Sequence, residues 1–112
     1  MARKRIKAPP VEYRSAEGDV LELRASMTPG TRQQYRETLA GSPLSQEDAW
    51  HRGVEFLFER LAVSWAVAGV DPITRQKELL ARFRMASQTE RRWIRDILRE
   101  HLAEHFPELP PP

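Results

Sequence analysis

The stretch His101-Leu102-Ala103-Glu104-His105 is the chain's best match to a catalytic pattern. Histidines four apart share one helical face, so both imidazoles can reach one Zn²⁺ while Glu104 serves as general base, the H-x-x-E-H order of inverted zinc peptidases. Such a site also needs a third protein ligand and a cleft. Only seven residues follow His105, and Glu108 is the one acid among them. Protonated histidines near a helix C-terminus have a simpler use, since they complement the negative end of the dipole. There is no cysteine, which removes disulfides, thiolate metal sites and thiol nucleophiles. With no Ser/His/Asp arrangement and no Gly-rich phosphate loop, the expectation is a protein that is not an enzyme and has no metal site or cofactor.

The second pattern is cationic. Arg91, Arg95 and Arg99 follow the four-residue row of one helix, with no acid at that spacing to neutralise them. Together with Trp93 beside them, they are the candidate protein-binding residues, suited to an acidic partner helix. The same segment supports a different chemistry. Two helices across a short turn, the second opening Ser87-Gln88-Thr89 and basic along one side, resemble a helix-turn-helix. In that alternative Gln88 supplies the amide that reads a base edge, Arg92 joins the phosphate contacts, and Arg3, Lys4, Arg5 and Lys7 act through charge. A packed αα-hairpin with a solvated arginine face is the simpler explanation of the pattern and is preferred to the helix-turn-helix.

Several elements must position these residues. Ser45 to Gly69 is the central one: Trp50, Val54, Leu57, Phe58, Leu61, Trp65 and Ala68 recur at steps of three and four, which predicts a single amphipathic helix. Its second half is apolar nearly all round. Ser45 with Asp48 forms a capping box at one end, and Gly69 suits a left-handed C-terminal cap at the other. Gly53 costs this helix roughly 1 kcal/mol against alanine and marks a close approach by a neighbouring segment.

Upstream, Val11-Glu12-Tyr13-Arg14 and Val20-Leu21-Glu22-Leu23-Arg24 alternate about a turn containing Gly18, a hairpin pattern. Two strands alone are marginal in water, so the hairpin must lie on the helices or join a partner's sheet. Thr28-Pro29 opens a short helix carrying Tyr35 and Leu39, which stops at Gly41. Asp71-Pro72 is expected to cap a third helix with Ile73, Leu79, Leu80 and Phe83 on its buried side. Ser87 to Glu90 is a further capping box, and Ile94, Ile97, Leu98 and Leu102 form the stripe of a fourth helix that ends near His105 before Pro107.

The fold class is therefore α+β and mostly α: an N-terminal β-hairpin followed by about four helices packed around a central apolar helix, in one domain over residues 11–106. Residues 1–10 read as a disordered basic arm and residues 107–112 as a disordered Pro-rich tail. A chain of 112 residues suffices for one domain and not two. The net charge of +2 divides into +4 on the arm and −2 on the remainder, so the body is not a polycation. No apolar run approaches the roughly 18 residues that span a bilayer, and the basic N-terminus lacks the apolar stretch of a signal peptide. The expected compartment is the cytoplasm. Trp50, Trp65, Trp93 and Phe83 are large apolar residues for so small a body, enough for a groove that accepts an amphipathic helix.

The runs VEYRSAEGDVLELRASMTPGTRQQY, EDAWHRGVEFLFERLAVSWAVAG and ERRWIRDILREHLAEHF together resemble small proteins from the structural modules of actinobacterial tailed phages. In layout the chain is most similar to tail assembly chaperones over residues 11–106. The resemblance implies a non-enzymatic role in host cytoplasm: binding the long helical tape-measure protein, keeping its apolar segments soluble and recruiting tail-tube subunits. It places no family binding residue on a numbered position here. Two other classes stay open, a small DNA-binding regulator and a structural connector or tail subunit, and a homo-oligomer is compatible with each.

Overall fold

The structure, a computed structural model, describes residues 9–40 and 46–112. Arg3, Lys4, Arg5, Lys7, the Gly41 helix stop and the Ser45 half of a capping box lie outside the described residues. The order of elements is β1 (Val11–Arg14), β2 (Val20–Leu23), α1 (Pro29–Ala40), α2 (Gln46–Leu61), β3 (Ala62–Ala66), α3 (Gln76–Arg84) and α4 (Gln88–His105). The class is α+β with helices predominating, as the sequence predicts. No helix among the described residues is long and apolar enough to cross a membrane.

The expected hairpin forms, with Val11 opposite Leu23 and Arg14 opposite Val20. Its turn needs a left-handed residue, and Gly18 supplies φ +92°. The Ser15 hydroxyl accepts from the Asp19 amide at 3.0 Å, closing the turn. Alternation then sends Leu21 and Leu23 to the core, where neither retains accessible surface.

The central segment departs from the predicted helix. α2 ends at Leu61, and the next residue begins β3, which pairs antiparallel with β2 to give a sheet of order β1-β2-β3. The helical spacing from Trp50 continued through Trp65, but a two-stranded ribbon cannot stand alone in water. Pairing Leu21 with Trp65 and Glu22 with Ser64 supplies a third strand from residues that include β-branched Val63 and aromatic Trp65. Trp65 is buried in either arrangement, which is why periodicity did not distinguish them.

The chain then reverses through Gly69, φ +78°, with the Val70 amide donating to the Val67 carbonyl at 2.9 Å. Gly69 is left-handed as expected, but it serves a turn after a strand and not a helix cap. Ile73, assigned from sequence to the third helix, instead exchanges both backbone hydrogen bonds with Trp65, at 3.0 and 2.9 Å. α3 therefore starts at Gln76, beyond Asp71-Pro72. Asp19 braces this corner, its carboxylate accepting from the Ala68 amide at 2.9 Å.

One core joins sheet and helices. Leu57, Phe58 and Leu61 of α2 are fully buried, and Phe58 meets Trp65 edge-on at 5.6 Å and stacks on Phe83 of α3 at 4.8 Å. Ile94, Leu98 and Leu102 bring α4 onto the same core. α4 begins with the predicted capping box: Ser87 Oγ accepts from the Glu90 amide while Glu90 accepts from the Ser87 amide. α1 starts at Pro29, with the Thr28 hydroxyl accepting from the Thr31 amide at 3.1 Å.

Residues 107–112 also differ from the sequence expectation of a disordered tail. Leu109 is 4% exposed, the Pro110 carbonyl accepts from the Tyr35 hydroxyl at 2.6 Å, and Glu108 pairs with Arg32. The single apolar residue among the prolines anchors the segment against α1. Gly53 explains the close approach on α2: a Cβ built there meets Leu39 Cδ2 at 2.7 Å, Tyr35 at 3.4 Å and Pro112 at 3.5 Å.

Candidate functional site

The histidine pair has no room for metal chemistry. His101 is fully buried, and a carbonyl can only accept, so Nε2 must carry the proton it donates to the Arg24 carbonyl at 2.7 Å. Nδ1 then accepts from the Tyr13 hydroxyl at 2.7 Å. Both ring nitrogens are committed to holding α4 on the hairpin. Burial pushes the His101 pKa down, against the favourable Arg24 carbonyl and with help from His105. It also raises that of Tyr13 to about 12, with Glu100 and Glu104 adding to the shift. The described residues hold no group of three or more His, Cys, Asp or Glu side chains able to bind an ion.

The arginine row follows α4 as read, but its members have different neighbours. Arg91 donates to the carbonyls of Arg84 at 2.8 Å and Ala86 at 3.3 Å, capping the C-terminal end of α3, and its guanidinium lies 5.1 Å from the Phe83 ring centre. Arg95 reaches α2 and sits over Trp50 at 5.5 Å. Arg99 is exposed, and its charge opposes the burial that raises the Tyr35 pKa. Trp93 is partly buried against the core, roughly 200° around the helix from Arg91, so it does not share the arginine face. Gln88 and Arg92 are exposed near the start of α4.

The aromatic that joins the row is Trp50. It lines a depression of about 630 Å³ between the end of α1, the start of α2 and the tail, with Leu39, Ala49, Pro110 and Pro111 forming apolar walls and Arg36 the charged one. Arg36, Arg95 and Arg99 enter none of the ion pairs among the described residues, whereas Arg14, Arg32, Arg52, Arg75, Arg82 and Arg84 are all paired. Arg95 Nε is buried and meets no acceptor among the described residues. Neighbouring Glu108 is held below the usual carboxylate range by its own backbone amide and then by the Arg32 and Arg36 charges.

The result is an apolar hollow with a cationic border, a combination suited to gripping a side chain and orienting carboxylates around it. No protein-family model, curated protein or solved structure matches the chain. The site therefore rests on geometry. Sequence reading found Arg95, Arg99 and, among the large aromatics, Trp50. It did not name Arg36 or the tail prolines, which carry no local sequence signal for this position.

Proposed function

We propose that this chain is a non-enzymatic, tail assembly chaperone-like protein that holds a helical segment of a tape-measure-type partner and shields its apolar face until assembly. The depression beside Trp50 is the observation that carries the reading, because its described lining gathers apolar side chains at the meeting of two helices and a docked tail. The commitment of Arg91 to the carbonyls at the end of α3 supports protein binding over a helix-turn-helix role, in which it would be free to meet phosphate.

The test is co-expression with the tape-measure protein from the same genome. The reading expects soluble complex with the wild-type chain, and less of it with Trp50→Ala at equal expression. Recovery of the tape-measure protein only as aggregate, or of the chain bound to nucleic acid alone, would reject it.

A further inference from the structure

The geometry points to an acidic amphipathic helix as the occupant of the Trp50 depression, with an apolar side chain between Trp50 and Pro110-Pro111 and carboxylates at Arg36, Arg95 and Arg99. This rests on the protein-binding reading above and specifies the partner's chemistry. Charge complementarity is the argument. Among the described residues six arginines stand in ion pairs and Arg91 is held at carbonyls. Six others enter no ion pair there, and three of those, Arg36, Arg95 and Arg99, meet at the hollow through its lining, through Trp50 and through the neighbouring Tyr35. None of the described residues lining the hollow is acidic.

Arg95 adds a second observation. Stacking on Trp50 holds its guanidinium in place, with Nε turned into the fold and the outer nitrogens left to meet a partner. A guanidinium fixed in this way is prepared to take a carboxylate in a charge-assisted hydrogen bond, with less ordering required at binding. Arg36 stands on α1, while Arg95 and Arg99 stand one turn apart on α4. A helix with an apolar stripe flanked by acids at spacings of three and four meets both the hollow and its border. Phosphate could use the charges, but the apolar walls of Leu39, Ala49 and the prolines offer a nucleic-acid backbone nothing.

The experiment uses the full chain and two fluorescein-labelled synthetic amphipathic helices of identical leucine stripe, one flanked by glutamates and the other by lysines, read by anisotropy. The acidic peptide should bind more tightly than the basic one by at least about tenfold, with the difference shrinking as salt rises. Arg95→Glu and Arg99→Glu should each reverse the order of preference towards the lysine peptide, while Arg75→Glu, outside the hollow, should not. Arg99 is exposed, so its variant carries the test if Arg95→Glu fails to fold. Equal binding of both peptides, or indifference to both reversals, overturns the inference and leaves the protein-binding reading standing. Binding of neither peptide, together with failure of the co-expression test, removes both. Displacement of the acidic peptide by a short DNA duplex of higher affinity overturns the inference in favour of nucleic acid.

Discussion

The Tyr13 hydroxyl and the His101 imidazole are hydrogen-bonded at 2.7 Å, joining the first strand to the last helix across 88 positions of sequence. The ring's other nitrogen ties the same helix to Arg24, just past β2. A histidine with both nitrogens used and no accessible surface is a structural clamp, and it works only in its neutral form.

Stability should therefore fall in mild acid. Because the folded-state pKa of His101 is depressed, the unfolded chain takes up a proton that the native state refuses. The contribution is fully present above the unfolded value near 6.5 and is lost as pH falls from there towards the folded value, by at most about 1.4 kcal/mol per pH unit. Urea unfolding from pH 7.5 downwards should show this slope, and His101→Gln should flatten it. Tyr13→Phe should cost about 1–3 kcal/mol at neutral pH, since it leaves a buried acceptor without its donor.

Gly53 should resist replacement although it lies inside a helix. Alanine gains roughly 1 kcal/mol of helix propensity, but its Cβ must displace Leu39 Cδ2, so the net change in thermal midpoint should be close to zero. Valine adds bulk towards Tyr35 and Pro112 as well, and about 1–3 kcal/mol of destabilisation is expected from overpacking.

The tail should contribute measurably to folding. Leu109→Ala removes a 4%-exposed anchor and is expected to cost about 2 kcal/mol or more. Tyr35→Phe, which removes the hydrogen bond to Pro110, should cost about 1 kcal/mol. Amide exchange of Leu109, whose N–H donates to the Phe106 carbonyl at 2.9 Å, should accelerate in both variants if the tail is held as described.

At the start of α4, Ser87→Ala should cost about 1 kcal/mol, because the Glu90 amide loses its acceptor while the residue-87 amide keeps the Glu90 carboxylate. Glu90 is held below the ordinary carboxylate range chiefly by Arg82, with the Ser87 amide and hydroxyl assisting. Its contribution is present above the unfolded carboxylate value and disappears as pH drops through the folded one. Chemical denaturation in acid should thus show a smaller loss for Glu90→Gln than for the wild-type chain.

Local pattern by itself determined the two hairpin strands, the starts of α1 and α4 and the buried stripe of α4, because each depends on contacts within a few residues: Gly18 in a turn, Thr28 and Ser87 as caps, alternation at Leu21 and Leu23. The conformation of residues 62–66 was beyond it, since Trp65 satisfies both a helical and a strand period, and only the empty edge of β2 favoured extension. The same limit applied to the candidate site. Helical geometry placed Arg95 and Arg99 on one face, but what they face depends on α2 arriving with Trp50 and on a six-residue tail secured by Leu109. Those partners are distant in sequence, and burial of shared apolar surface, which has no sequence period, brought them together.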